Sequence, residues 1–244
     1  MTERKAAIVT GSSRGIGRAV AVRLAADGVD VIVNFLSRRE AADKVVAEIE
    51  ADGGRAVAVQ ADATVPDQLR ALFDAADRHF GGVDIFVHGV GSPRFTTIAD
   101  ATDEDFEISV VQSTRAAFVA LREAANRLRE GGRIVVVSSG SSVDHIPNGG
   151  IYGAGKAATD RMVRTLAHEL GARGITANSV LPGATRTDGL VEHLPAAAID
   201  QIAARTPLGR IAEPEDIADV VAFLASDGGR WVTGQAIRAH GGAS

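Results

Sequence analysis

Short apolar runs alternate with helix-length segments along the whole of this chain, and this alternation limits the folds open to it. Each run is apolar on both faces, which is typical of strands buried within a parallel sheet. The predicted strands are Ala6–Val9, Val29–Phe35, Ala56–Ala61, Val83–Val87, Ile134–Val137, Ile175–Val180 and Ala236–Arg238. Because helical segments separate the strands, we expect an α/β protein in which helices cover both faces of a parallel sheet.

The domain organisation is predicted to be simple. No long linker interrupts the pattern, so residues 1–244 are expected to form one domain. Helices are predicted over Asp103–Arg129, which is a longer one, and over Tyr152–Ala172. The least regular stretch, Ala184–Thr206, is expected to form a lid over the substrate.

Composition narrows the classes of partner. The chain has 26 Lys and Arg against 31 Asp and Glu, a net charge of −5, so it has no general attraction for nucleic acid or anionic membranes. It has no cysteine, which excludes disulfides, thiol nucleophiles and cysteine-bound metals. No apolar run approaches the roughly 18 residues of a membrane-spanning helix. We expect a cytoplasmic protein with no nucleic-acid or membrane partner and no bound metal.

A glycine-rich loop, Thr10–Gly17, joins the first predicted strand to a helix. Glycines let the backbone approach a pyrophosphate closely, and a helix N-terminus presents free N–H groups to it. The loop residues expected to contact a dinucleotide are Gly11, Ser13, Arg14, Gly15, Ile16 and Gly17. The alternative is a tight strand–helix turn that binds nothing.

The end of the second strand predicts which dinucleotide is bound. An NAD site usually places Asp or Glu there to hold the ribose 2′-hydroxyl, but this chain has Asn34. Ser37, Arg38 and Arg14 are nearby, and guanidinium groups suit a 2′-phosphate. We therefore expect NADP, contacted by these four residues. The alternative for Arg38 is that it only solvates the start of a helix.

Three residues have the chemistry needed to reduce a carbonyl. Tyr152 and Lys156 are four residues apart and share one helix face, and Ser139 follows the fifth strand. A tyrosine with a pKa near 10 is a poor acid or base at neutral pH, so a neighbouring ammonium is expected to lower that pKa. Taken alone, the Tyr-x-x-x-Lys spacing is common by chance.

Together these motifs resemble the short-chain dehydrogenase/reductase family over essentially the whole chain. The matching residues are Thr10–Gly17, Asp62, Ser139, Tyr152, Lys156, Asn178, Pro182 and Gly183. The ending, with Trp231–Gln235 and Gly241-Gly242, is most similar to 3-oxoacyl-carrier-protein reductase-like members.

The resemblance implies a Rossmann-like, doubly wound parallel sheet of about seven strands in a single domain. It implies that Tyr152 is the acid/base, that Lys156 holds the nicotinamide ribose and lowers the tyrosine pKa, and that Ser139 positions the carbonyl. Further cofactor contacts are expected from Asp62, Ala63, His88, Gly89, Pro182, Gly183, Thr185 and Thr187.

Two positions depart from the family pattern. His88-Gly89-Val90-Gly91 stands where the family usually has Asn-Asn-Ala-Gly, and Ser113 stands where an Asn completes a proton relay. We expect an NADP-dependent oxidoreductase that transfers a hydride between nicotinamide and a carbonyl or secondary alcohol, with a 3-oxoacyl-type ketone as one candidate. The departures motivate one alternative, a catalytically impaired nucleotide-binding regulatory protein. A third possibility is another reaction on the same fold, such as dehydration or epimerisation.

The substrate pocket and the oligomer are also predicted. The expected pocket walls are Ser92–Phe95, His145–Pro147 and residues 184–194. A homotetramer is expected from the family and from apolar residues that we assign to more than one face of two helices. These residues are Phe118, Val119, Leu121 and Ala124 on one helix, and Met162, Val163, Leu166 and Ala167 on the other.

Overall fold

A seven-stranded parallel sheet forms the centre of the molecule, with the strand order β3-β2-β1-β4-β5-β6-β7. The computed structural model describes residues 4–91 and 94–243, apart from the side chain of His193. The strands are β1 (Ala6–Val9), β2 (Asp30–Phe35), β3 (Ala56–Gln60), β4 (Val83–His88), β5 (Leu128–Val137), β6 (Thr176–Pro182) and β7 (Ala236–Ala239). The predicted doubly wound α/β fold is confirmed.

Helices cover both faces of this sheet, as the alternating pattern predicts. They are α1 (Gly15–Ala26), α2 (Arg39–Ala51), α3 (Pro66–Phe80), α4 (Asp103–Phe106), α5 (Ser113–Arg127), α6 (Gly150–Glu169), α7 (Asp188–His193), α8 (Ala196–Arg205) and α9 (Pro214–Ala225). One apolar core lies between the sheet and α1, α2 and α9. The other lies between the sheet and α3, α5 and α6.

Local sequence sets where the helices begin and end. Pro66 opens α3, where its fixed φ suits the first turn and its missing N–H costs nothing. Gly81 ends the same helix in the left-handed region, at φ 77°, which a side chain would disfavour. Thr102 and Asp105 form a reciprocal capping box at the start of α4.

The strand order reverses at β1, which pairs with β2 on one side and β4 on the other. In doubly wound sheets a ligand binds at such a reversal, beyond the carboxyl ends of the strands. The glycine loop follows β1 at this edge, and His88 ends β4 there. The topology therefore places both predicted cofactor segments at one crevice.

Two predicted elements differ from the structure. The helix expected over Asp103–Arg129 contains a π-helical segment, Glu107–Gln112, which separates α4 from α5. Residues 184–206 are not irregular, because they contain α7 and α8. Ser92 and Pro93, which we predicted to line the pocket, lie outside the described residues.

We predicted that two helices carry apolar residues on a second face, available to a partner chain. For most of these residues the prediction is wrong. The residues buried in the core of this chain are Val119, Leu121, Ala124, Val163, Leu166 and Ala167. Their apolar surface is satisfied by the sheet and by neighbouring helices, so it does not require a partner chain. The two exceptions are Met162, which is partly buried against the same core, and Phe118, with 48% of its surface exposed.

Candidate active site

The glycine loop is shaped by close backbone contacts at the carboxyl end of β1. Gly11 and Gly15 both have positive φ, at 64° and 53°. A Cβ on Gly17 would overlap the carbonyl oxygen of Gly11, so only glycine lets α1 start this close to the loop. The N-terminus of α1 therefore opens directly onto the crevice.

Asn34 fixes this loop from β2. Its Oδ1 accepts the N–H of Gly11 at 3.0 Å, and its Nδ2 donates to the carbonyl oxygen of Ala61 at 3.0 Å. The backbone N–H of Asn34 donates to Ser12 Oγ at 2.9 Å, and Ser12 Oγ donates to Val9 at 2.7 Å. The polar atoms of Asn34 thus bind the protein itself and hold the loop. Sequence reasoning missed Ser12, because a buried serine has no distinctive pattern.

A cleft of about 260 Å³ lies in front of the loop. The predicted cofactor residues that line it are Gly11, Arg14, Gly15, Ile16, Gly17, Gly89 and Thr187. Thr187 caps the N-terminus of α7, where its hydroxyl accepts the N–H of Leu190 at 3.3 Å. Its Cγ2 would lie 3.2 Å from a Cβ on Gly15, so it forms the wall opposite the loop.

Two arginines lie at this edge of the sheet: Arg14 lines the cleft, and Arg38 follows the end of β2. Arg14, Ser37 and Arg38 are exposed. Within the described ranges, neither Arg14 nor Arg38 forms a salt bridge, whereas Arg39 is paired with Asp43 at 2.9 Å. Two guanidinium groups are therefore free to bind an anion.

Asp62 and Ala63 follow β3 at the same edge of the sheet. Asp62 Oδ1 accepts the N–H and the hydroxyl of Thr64 at 2.9 and 2.6 Å. Ala63 is buried. The Asp62 carboxylate is thus held by hydrogen bonds within its own turn. The resemblance predicts that Asp62 contacts the adenine of the cofactor.

Ser139, Tyr152 and Lys156 meet at the carboxyl end of β5. Ser139 follows the strand, and the other two lie one turn apart on α6. The Lys156 ammonium is 5.8 Å from the centre of the Tyr152 ring and donates to the carbonyl oxygen of Val137 at 3.4 Å. The structure therefore brings together the three residues that the sequence predicts to be catalytic.

Burial shifts the pKa values of Lys156 and Tyr152. It lowers the pKa of Lys156 from 10.5 to about 8, and nearby Asp160 opposes this shift. Burial also raises the pKa of Tyr152, while a hydrogen bond with Ser139 acts in the opposite direction. In the protein alone, burial outweighs this hydrogen bond, and the pKa of Tyr152 stays above its ordinary value.

His88 lies in the interior beside the cleft. Its pKa is lowered to about 3 by burial and then by the charge of Lys156, so the ring is neutral at physiological pH. Its Nδ1 is 3.4 Å from the Thr10 hydroxyl, which also accepts the N–H of Gly89 at 3.0 Å. Only 2% of His88 is exposed, so its contacts join β1 to β4.

Ser113 follows the π-helical segment. Its hydroxyl donates to the carbonyl oxygen of Ile108 at 3.0 Å, and so occupies a backbone acceptor that the interrupted helix makes available. Ser113 therefore lies at the break in the helix, and its part in a proton relay stays a prediction.

The predicted nicotinamide side of the site lies beyond β6. The N–H of Gly183, which follows Pro182, donates to the carbonyl oxygen of Ala239 at 3.2 Å. The Thr185 hydroxyl donates to the carbonyl oxygen of Gly183 at 3.1 Å. Asn178 binds the C-terminal segment, where its Oδ1 accepts the N–H of Gln235 at 3.0 Å.

The catalytic turn, defined here as residues 139–144, is tied to the last strand. Asp144 Oδ1 accepts a hydrogen bond from Arg238 at 2.8 Å. On the substrate side, the Phe95 ring lies 5.5 Å from the ring of Tyr152. The N–H of Thr96 donates to the carbonyl oxygen of Asn148 at 2.8 Å, which holds this wall in place.

Comparison with known proteins identifies the family. A family model described as enoyl-(acyl carrier protein) reductase matches residues 11–244. The chain belongs to the short-chain dehydrogenase/reductase family. One relative is an NADPH-dependent aldehyde reductase-like chloroplastic protein of Arabidopsis thaliana. It is 42% identical to this chain, and the match covers 98% of this chain and 93% of the relative.

A second relative and a solved structure extend the match. Versicolorin reductase stcU of Emericella nidulans is 42% identical, over 98% of this chain and 95% of its own length. The crystal structure of the angucycline C-6 ketoreductase LanV with bound NADP superposes with a TM-score of 0.91 and 37% identity, covering 98% and 95% of the two chains. Within the described ranges, this short-chain dehydrogenase/reductase has no helix both long and apolar enough to cross a membrane.

Proposed function

We propose that this protein is an NADP-dependent oxidoreductase that transfers a hydride between nicotinamide and a carbonyl or secondary alcohol. The observation that carries the proposal is the meeting of Ser139, Tyr152 and Lys156 at the edge of the sheet where the glycine loop opens. Reduction needs a proton donor and a polar clamp on the carbonyl oxygen, and these side chains supply both.

The residues present fit NADP. The tight contact of Gly17 with the Gly11 backbone makes a cradle that a Cβ would fill. The β2 strand ends without a carboxylate, and the guanidinium groups of Arg14 and Arg38, which form no salt bridge with any described residue, suit a 2′-phosphate. LanV was crystallised with NADP, and the Arabidopsis relative is named for NADPH. Both observations favour the phosphorylated dinucleotide.

We assign cofactor contacts to the residues at this edge of the sheet. They are Gly11, Ser13, Arg14, Gly15, Ile16, Gly17, Ser37, Arg38, Asp62, Ala63, Gly89, Tyr152, Lys156, Pro182, Gly183, Thr185 and Thr187. Asn34 and His88 act behind them, because their hydrogen bonds hold the loop and β4.

The cofactor supplies the hydride when bound. The hydroxyls of Ser139 and Tyr152 hold the substrate carbonyl oxygen, and the Tyr152 O–H gives it a proton as the alcohol forms. Lys156 holds the nicotinamide ribose, and its ammonium replaces the tyrosine proton. The pKa of Lys156, about 8, leaves it mostly protonated at neutral pH yet able to release a proton. Ser113 lies on the path that resupplies this proton.

The substrate is proposed to be an apolar ketone. Phe95 lies against Tyr152, and the apolar side chains of Val143, in the catalytic turn, and Ile146, just after it, are exposed. One relative is named as a versicolorin reductase, and the solved neighbour LanV is named as an angucycline C-6 ketoreductase. A 3-oxoacyl ketone stays a second candidate, because the same walls suit an acyl chain. Residues 184–206 are proposed to form the substrate lid.

We also propose a homotetramer in the cytoplasm. The exposed aromatic rings of Phe118 and Trp231 support association, since apolar surface of this kind favours burial against a second chain. Light scattering that gives a mass near 25.2 kDa at micromolar concentration would exclude the tetramer. Cell fractionation tests the location.

The decisive experiment is NADPH oxidation with a panel of apolar ketones, with the product identified by mass spectrometry and chiral chromatography. We expect a secondary alcohol of one configuration. The Tyr152→Phe variant should bind NADPH normally and lose turnover by about 10²–10⁴-fold. An enzyme that binds NADPH and reduces no ketone would instead support the alternative of a nucleotide-binding regulatory protein.

A further inference from the structure

The hydroxyl of Ser139 has a close neighbour that the mechanism above does not use. The Ser141 hydroxyl donates to Ser139 Oγ at 2.9 Å, and the backbone N–H of Ser141 lies 3.2 Å from the same oxygen. Ser141 therefore directs two hydrogen-bond donors at Ser139 Oγ, the atom proposed to hold the substrate carbonyl.

A serine hydroxyl has one proton to donate and two lone pairs to accept with. When both donors of Ser141 are in place, both lone pairs of Ser139 are occupied. Its own proton must then point to another acceptor, and the Tyr152 oxygen is a candidate because Ser139 acts to lower the pKa of Tyr152, as a donor to the phenolate would. If the hydrogen bond between the two hydroxyls ran in the opposite direction, Ser139 would donate its proton to Ser141 and could not donate it to the substrate.

The surroundings hold Ser141 in this position. A Cβ on Gly153 would overlap the carbonyl oxygen of Ser141, so α6 presses directly on the catalytic turn one residue after Tyr152. At the other end of the turn, Asp144 is held by Arg238, and its N–H donates to Gly140 at 2.8 Å. Both sides of the turn are therefore fixed.

We propose that Ser141 is a positioning residue for carbonyl reduction, which fills the acceptor sites of the Ser139 hydroxyl so that Ser139 offers its proton to the Tyr152 oxygen or to the substrate. This inference rests on the proposed function of the site. It adds a link that the sequence pattern did not single out, so that the chain of donors runs from Ser141 through Ser139 to Tyr152.

Kinetics of Ser141→Ala test the proposal. The variant loses one neutral hydrogen bond, which matters most in the transition state, when charge develops on the carbonyl oxygen. We therefore expect kcat to fall about 3- to 10-fold and KM to stay nearly unchanged. Ser141→Thr keeps both donors and should restore kcat. The matched control is Ser142→Ala, because the Ser142 hydroxyl is buried and has no hydrogen-bond partner among the described residues.

A double-mutant cycle separates positioning from general damage. If Ser141 acts through Ser139, the double variant should be no slower than Ser139→Ala alone, because the second change removes a group with nothing left to orient. Effects of Ser141→Ala and Ser139→Ala that multiply in the double variant would overturn the proposal. So would a kcat of Ser141→Ala equal to that of wild type.

A direct titration makes the proposal independent of turnover. Tyr152 is the only tyrosine in the chain, so tyrosinate absorbance reports its ionisation alone. Lys156, on the same helix, is the neighbour of the Tyr152 ring that carries a charge at neutral pH. Phe95 and Ser139 are uncharged, and His88 is neutral. Ser141→Ala should raise the tyrosine pKa, since a less well oriented Ser139 stabilises the phenolate less, and Ser142→Ala should leave it in place.

The two proposals can fail separately. A wild-type protein that reduces no ketone would refute the proposed function, while the titration would still test the role of Ser141. A tyrosine pKa that is equal in wild type and Ser141→Ala, in protein shown by circular dichroism to be folded, would refute the positioning role even if the enzyme is active.

Discussion

Lys156→Met should make the cofactor-free protein more stable while it destroys the enzyme. Lys156 is buried, and its pKa is lowered from 10.5 to about 8 because burial disfavours the ammonium. Each pKa unit corresponds to about 1.4 kcal/mol, so keeping this lysine protonated costs the fold about 3 kcal/mol. Methionine keeps most of the apolar stem and removes the charge.

Two smaller effects work against this gain. The variant loses the hydrogen bond from Lys156 to Val137, worth about 1 kcal/mol, and Asp160 loses a nearby cation. We therefore expect a net increase of about 2 kcal/mol in the free energy of unfolding at pH 7. Urea unfolding monitored by circular dichroism measures it, with the exposed Lys44→Met as the control expected to change little.

The pH dependence follows from the direction of the shift. Below about pH 8, Lys156 is protonated in both states and the cost is fully present. Between about pH 8 and 10.5, the unfolded chain holds a proton that the folded chain has released, so the wild type becomes more stable as pH rises. By pH 9.5 the cost falls to less than half of its value at pH 7. A variant less stable than wild type at pH 7, or a stability difference that does not change with pH, would refute the reasoning.

Three further predictions concern the cofactor and the relay. Gly17→Ala should abolish measurable NADPH binding in a fluorescence titration, because the added methyl overlaps the Gly11 carbonyl and moves α1 away from the loop. Arg14→Ala should weaken NADPH binding by about 1.5–3 kcal/mol and leave NADH binding unchanged, whereas equal losses for both cofactors would contradict a 2′-phosphate contact. Ser113→Asn should change the steady-state rate or its pH dependence, and stopped-flow single turnovers should show an unchanged hydride step.

The sequence predicts the fold well because its signals are local. The β-branched runs of β1 and β2 and the helical spacing of α3 depend on neighbouring residues, so strand, helix and parallel topology follow from them. The bounds of the break in the helix at Glu107–Gln112 were not predicted, because they depend on packing: a Cβ on Gly155 would overlap the Ser109 carbonyl that this segment presents to α6.

The candidate site is predicted only in part, since a motif names residues and not their partners. The sequence identifies Tyr152 and Lys156 by spacing, but their pKa values depend on burial, which the pattern does not state. Asn34 was predicted to face the cofactor, and its hydrogen bonds instead close the loop. Ser141 was missed because its importance lies in two contacts with Ser139.

The ion pair between Asp144 and Arg238 joins positions 94 residues apart in the chain. During synthesis the catalytic turn leaves the ribosome long before the strand that secures it, so a nascent chain holds every catalytic side chain without a fixed turn to carry them. Contacts this distant in sequence form late, because the intervening chain must be ordered first. Enzyme activity thus becomes a marker for completion of the last strand, and a chain truncated before β7 should fold most of the sheet without becoming a reductase.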